Sequence, residues 1–109
     1  MNEVFYNVTV SLDPSIEQDW LLWMKDIHIP EVLATGMFLQ SKILRIHGFE
    51  ENGVTYAIQY RLASMDLLNK YQAEFSPALQ ADHFNRYGEK AIAFRTVLEI
   101  IEEFEYFPI

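Results

Sequence analysis

Apolar and polar positions alternate along Val4-Phe5-Tyr6-Asn7-Val8-Thr9-Val10-Ser11-Leu12, and the alternation returns in Val54-Thr55-Tyr56-Ala57-Ile58-Gln59-Tyr60-Arg61-Leu62. A period of two is the signature of a half-buried strand. Laid one over the other, the stretches match Val4 to Val54, Tyr6 to Tyr56, Val8 to Ile58 and Leu12 to Leu62. A helix start follows each: Asp13 as an N-cap ahead of Pro14, and Ser64 as an N-cap with Asp66 in the first turn. Gly36 and Gly88 mark the expected helix ends, and two more β-rich runs, Phe38 to His47 and Ala91 to Ile101, come after them. The chain therefore reads β-α-β twice. Glu50-Glu51-Asn52-Gly53 joins the halves, with Asn-Gly before Val54 as a hairpin signal.

Two β-α-β units joined by a hairpin give an α+β fold, the ferredoxin-like split βαβ, with a four-stranded antiparallel sheet and both helices on one face. Parity along the strands assigns Tyr6, Val8, Val10, Tyr56, Ile58, Tyr60, Phe94, Leu98 and Ile100 to the helix-facing side. It assigns Phe5, Asn7, Thr9, Thr55, Gln59, Arg61, Arg95, Val97 and Ile101 to the other. That second face mixes apolar with hydrogen-bonding residues. Solvent would accept it, but a homodimer interface through Asn7, Thr9, Gln59, Arg61 and Arg95 suits the mixture better.

With 109 residues, half of them hydrophobic, the chain has material for one cored domain and not two. The expectation is a single domain over residues 1–109, with halves at 1–50 and 51–101 and an acidic, aromatic tail at 102–109. So much aromatic surface in the tail argues for packing on its own domain or across a dimer.

In the first helix, Ile16, Trp20, Trp23, Met24 and Ile27 fall on one apolar stripe, with His28 at its edge. Pro30 disfavours helical geometry at Ile29, so the helix should break or restart near His28. An imidazole there has two readings: a cap on free helix-end carbonyls, or a proton-transferring or binding group lining a cavity, oriented by Glu31. In the second half, Leu68, Tyr71 and Phe75 form a stripe that meets Ser76-Pro77, where Ser76 can cap a new helix. Three residues apart beyond it, His83 and Arg86 form a candidate anion-binding pair, or else an ordinary polar face. His47 reads as an exposed turn residue.

Charge and cysteine content narrow the function. A net charge of -8 opposes binding to nucleic acid and to anionic membrane. There is no cysteine, which excludes disulfides, thiolate nucleophiles and Cys-based metal sites. Glu3 stands where a signal peptide would be basic, and no apolar run approaches the ~18 residues of a membrane span, so a cytoplasmic protein is expected. No nucleophile elbow, phosphate loop, dinucleotide fingerprint, zinc motif or paired glycosidase carboxylates are present. No metal site is expected.

The run His28-Ile29-Pro30-Glu31-Val32-Leu33-Ala34-Thr35-Gly36, with Ser76-Pro77-Ala78-Leu79-Gln80-Ala81-Asp82-His83 and Ala93-Phe94-Arg95-Thr96, resembles a domain-of-unknown-function family of small bacterial proteins. The resemblance spans nearly the whole chain. That family is similar to the dimeric α/β-barrel superfamily, whose ferredoxin-like subunits pair through their sheets. The superfamily includes cofactor-free monooxygenases, haem-degrading enzymes, muconolactone-type isomerases and effector-binding domains, so the resemblance implies a fold and a pocket location and not a reaction.

Two functions from different classes follow. One is binding or cofactor-free conversion of a small apolar or aromatic molecule in a cleft between helices and sheet, with Tyr6, Trp20, Trp23, Met24 and Tyr56 as walls and His28 as the polar group. The other is a non-catalytic homodimeric structural or regulatory domain, in which the aromatics are core and the histidines caps. No cofactor is expected, haem with His28 or His83 as axial ligand being the narrow alternative.

Overall fold

The computed structural model describes residues 2–48 and 53–109. Four strands, β1 (Val4–Leu12), β2 (Gln40–Ile46), β3 (Val54–Leu62) and β4 (Ala91–Glu99), form one antiparallel sheet in the order β2-β3-β1-β4. Between β1 and β2 lie α1 (Glu17–Trp23), a π-helical turn (Met24–His28) and α2 (Ile29–Ala34); between β3 and β4 lie α3 (Met65–Glu74) and α4 (Ser76–Tyr87). This is the ferredoxin-like α+β topology that the alternating patterns predict. β1 and β3 coincide with the two alternating stretches. Most of the connecting turn predicted at Glu50 to Gly53 lies outside the described residues. Gly53 itself has φ +141, and a Cβ there would run into the Leu12 carbonyl oxygen.

The helix-facing side is set by register. Tyr6 stands opposite Tyr60, Val8 opposite Ile58 and Val10 opposite Tyr56, and these belong to the buried cluster with Trp20, Trp23, Leu62 and Leu68 or pack against it. On β4 the parity is the reverse of the sequence expectation. Arg95 pairs with Val8 and Val97 with Tyr6, which puts both on the helix side, while Phe94 and Leu98 face outward, 62% and 45% exposed. Ranking β4 by residue size sends its large apolar side chains to the core, yet the helix layer leaves room there for only Ala91 and Ala93. The hydrogen bond from Asp13 N–H to the Lys90 carbonyl, 2.9 Å, ties the start of β4 to the end of β1. A slip of one residue would turn every β4 side chain over. Arg95 therefore leaves the proposed dimer face, on which Asn7, Thr9, Gln59 and Arg61 remain; Ile100 lies past the strand end.

Helix starts follow the capping residues. Asp13 accepts the Ser15 N–H at 2.9 Å above a short 3-10 turn (Pro14–Ile16), and Ser64 accepts the Leu67 N–H at 3.3 Å at the head of α3. Ser76, by contrast, makes no cap. Phe75 precedes α4, and Ser76 is 2% exposed with its hydroxyl accepting from Gln80 Nε2 at 2.7 Å.

Beyond β4 the chain has no regular structure, though Ile100 N–H still bonds the Glu3 carbonyl at 2.9 Å. Phe104, Tyr106 and Phe107 are 88%, 86% and 75% exposed, so the tail does not pack on its own domain. The radius of gyration of 15.1 Å exceeds the value of about 13 Å expected for a compact chain of this length, as a projecting tail requires. Among the described residues no helix is long and apolar enough to cross a membrane.

Candidate functional site

Pro30 does not end the first helix. Its missing N–H and its ring are accommodated by widening the preceding turn, where the Ile29 N–H reaches back five residues to the Met24 carbonyl. The extra residue in that turn rotates everything after it. At regular α spacing Ile27 would continue the stripe of Trp20, Trp23 and Met24, but Ile27 is 45% exposed and His28 takes the inward place at 9%. The capping role considered for His28 thus gives way to burial on the helix's core face. Glu31, considered as its orienting partner, is exposed, and His28 Nδ1 is buried with no hydrogen-bond partner.

His28 stacks on Trp23, with ring centroids 4.7 Å apart and an interplanar angle of 22°, and its ring lies 5.9 Å from His83. His83 reaches this place from α4, where its Nε2 accepts the indole N–H of Trp20 at 3.0 Å. A nitrogen that accepts carries no proton, so neutral His83 holds its proton on Nδ1. Both imidazoles are neutral near pH 7. Burial first, then the His83 charge, lowers the His28 pKa to about 4, against an opposing pull from Asp82. Burial also lowers His83, with Arg95 adding to the effect.

These side chains border a cleft between the helices and the sheet. Its apolar wall comes from Val8, Val10 and Ile58 on the strands with Met24, Val32 and Leu79 on the helices. Its polar wall comes from His28, Ser76, Gln80, His83 and Arg95, with Tyr6, Tyr60 and Tyr71 between the two. The empty space is about 450 Å³ counted out to the open mouth, most of it outside, with room within for only a few waters. Val8 is only half-buried amid buried neighbours on β1 because it faces this space. Burial holds Tyr60 far above the ordinary phenol range and pushes Tyr71 up to about 12, so both remain hydroxyl donors.

Of the walls expected from sequence, Tyr6 and Met24 border the cleft, and Trp20, Trp23 and Tyr56 stand outside it. Trp20 is fully buried against Tyr56 with centroids 5.3 Å apart, and the Tyr56 hydroxyl donates to Glu17 at 2.5 Å. His83 and Arg86 point to different places. Arg86 is exposed, donates to the Tyr87 hydroxyl at 3.0 Å and faces Asp19 at 3.5 Å, which closes a polar clasp between α4 and α1. Arg95 was absent from the sequence-derived site, since parity placed it on the opposite face; the small residues Ala91 and Ala93 at the same parity were the available signal. His47 is exposed after β2.

Two histidines, His28 and His83, were considered as haem ligands, and both border the cleft. In this structure His83 Nε2, the usual axial donor, is engaged by the Trp20 indole N–H, and the room inside the cleft is that of a few waters. Among the described residues, no group of three or more His, Asp or Glu is placed to hold a metal ion.

The sequence model of a family described as a domain of unknown function, DUF4286, matches residues 3–101. No curated protein matches the chain significantly. Among solved structures, the chain is similar to a dimeric ferredoxin-like protein from an uncultured marine organism, at 10% identity and TM-score 0.60, over 95% of this chain and 100% of that one. It is also similar to an ethyl tert-butyl ether D family protein from Bacillus halodurans, at 12% identity and TM-score 0.64, over 85% of this chain and 96% of that one. At these identities the likeness shows the fold.

Proposed function

The chain belongs to the DUF4286 family, whose description assigns no activity, so we propose from the site itself that it binds a small, largely apolar molecule between its helices and sheet. The observation that carries this reading is His28: a neutral imidazole, 9% exposed, with a buried and unpartnered Nδ1 at the wall of a cleft. Leaving a buried polar atom unsatisfied costs about 1–3 kcal/mol, which an apolar residue in the same place would avoid. A π-helical turn, itself an irregularity common at working sites, is what puts His28 there. A thermal-shift screen of the protein and of His28→Ala against a small-metabolite library tests the reading. A ligand at a hundred times its dissociation constant stabilises by about 2.7 kcal/mol, and that gain is expected in the native protein and not in the variant. A folded His28→Ala that keeps every hit would remove His28 from the site, and no hit at all would favour the non-catalytic domain, the role that the wholly packed Trp20, Trp23 and Tyr56 support.

The working unit in this proposal is a homodimer paired through the open sheet face. Ile92, Phe94 and Leu98 stand there 64%, 62% and 45% exposed, beside Thr9 and Gln59, and the marine relative of the same fold is described as dimeric. Sedimentation equilibrium that gives a 12.8 kDa monomer at every concentration would reject it.

A further inference from the structure

Arginine in this protein is otherwise committed. Arg45 faces Glu17 at 3.6 Å, Arg61 donates to Glu3 through Nε at 3.0 Å, and Arg86 faces Asp19. Among the described residues, Arg95 is the arginine with no carboxylate and no hydrogen-bond acceptor against it, and it is the one that borders the cleft. Sixteen acidic residues stand in the sequence, yet none lines this space. An unpaired guanidinium in a chain of net charge -8 marks a local reversal of sign.

The neighbouring groups have the same polarity. Trp20 fixes the His83 proton on Nδ1, so His83 faces the cleft as a donor. His28 Nδ1 is sealed without an acceptor, and a buried orphan donor is rarer than an orphan acceptor, which places the His28 proton on Nε2. The part of the polar wall around Arg95, His83 and His28 is thus one cation and two N–H donors, while Gln80 and Ser76 are bonded to each other, with Val8, Ile58 and Leu79 opposite.

We infer that the ligand carries a carboxylate, received by Arg95 with His83 and His28, on a short aliphatic or single-ring body that lies against the apolar wall. This rests on the pocket reading above and adds the ligand's charge and size. A carboxylate offers two acceptor oxygens to a guanidinium fork, which a neutral amide of the same shape does not match. The small internal room holds the body to a few carbons or one ring.

Titration of the whole protein at neutral pH with benzoate and butyrate, each beside its amide, followed by amide chemical shifts in two-dimensional NMR, tests the inference. Both acids are expected to shift resonances around His28, Leu79 and His83, and to bind about ten-fold or more tightly than benzamide and butyramide. Arg95→Gln should remove that preference with the spectrum of a folded protein intact, and Arg95→Lys should keep part of it. Equal binding of acid and amide would overturn the carboxylate inference and leave the pocket standing. Equal loss of acid and amide in Arg95→Gln would do the same, since Arg95 would then only shape the cleft. Silence toward all four compounds would overturn the inference together with the pocket.

Discussion

Each half of the chain sets a proline in its helix, and the two halves accommodate it differently. Before Pro30 the helix widens into a π turn and continues in line, which exchanges Ile27 for His28 on the core side. Before Pro77 the helix stops: Phe75, at φ -121, ends α3 and α4 begins anew at Ser76. A widened turn keeps the chain's direction and changes which side chain faces inward. A break changes direction and leaves polar residues at the joint, here Ser76 and Gln80, bonded to each other. The first solution strands a polar atom at the cleft and the second satisfies one. That asymmetry is the physical reason to place function on the His28 side.

The strongest way to break the comparison is to cut the buried hydrogen bond between α1 and α4 that joins the halves at the cleft. Trp20 is fully buried in α1 and donates to His83 of α4. Trp20→Ala should cost about 3–5 kcal/mol, enough to unfold a marginal domain, as read by urea denaturation. Trp20→Phe keeps most of the packing and loses only the hydrogen bond, at a cost of about 1 kcal/mol. It also frees His83 Nε2, so a carboxylate preference that survives in Trp20→Phe unchanged would show that His83's fixed proton is not needed.

The sequence was most informative where one periodicity ran undisturbed. β1 and β3 alternate cleanly, and both their bounds and their faces follow from that pattern. Two things escaped it. On β4, Ile92, Phe94 and Leu98 share one parity and Ala93, Arg95 and Val97 the other, so hydrophobicity alone favours the wrong face when a second layer, in the proposed dimer, covers the large residues. Near Pro30 the sequence announces an irregularity but not its form. Break and π turn leave identical residues in place, and only backbone hydrogen bonding tells whether Ile27 or His28 turns inward. Arg95 fell in the first blind spot; His28 was legible as a candidate at the edge of the helix stripe, but the π turn that turns it inward was not.

Acid sharpens the comparison, because His28 of the first half has a ring nitrogen buried without a partner, whereas His83 of the second half accepts from Trp20. Around His28 stand His83 and Asp82 of α4 and Arg95 of β4; burial, His83 and Arg95 together outweigh the upward pull of Asp82 and lower its pKa from 6.5 to about 4. As the pH falls through about 6.5 the unfolded chain takes up a proton that the folded chain refuses until about pH 4. Stability attributable to His28 is therefore whole above pH 6.5 and lost over those 2.5 pH units, on the order of 3 kcal/mol by pH 4. His83, also lowered, adds loss in the same direction. Carboxylate ion pairs fade in the same range, so the decisive measurement is the difference between the native protein and His28→Leu. Leucine removes the titrating group and the unpartnered nitrogen while filling similar space. The variant should be more stable than the native protein by about 1 kcal/mol at pH 7.5. The gap should widen toward pH 4 in denaturant unfolding curves, and bound carboxylate should be lost at every pH. A parallel pair of stability profiles would mean that His28 already has a proton partner when folded, and the contrast between the two proline sites would lose its functional meaning.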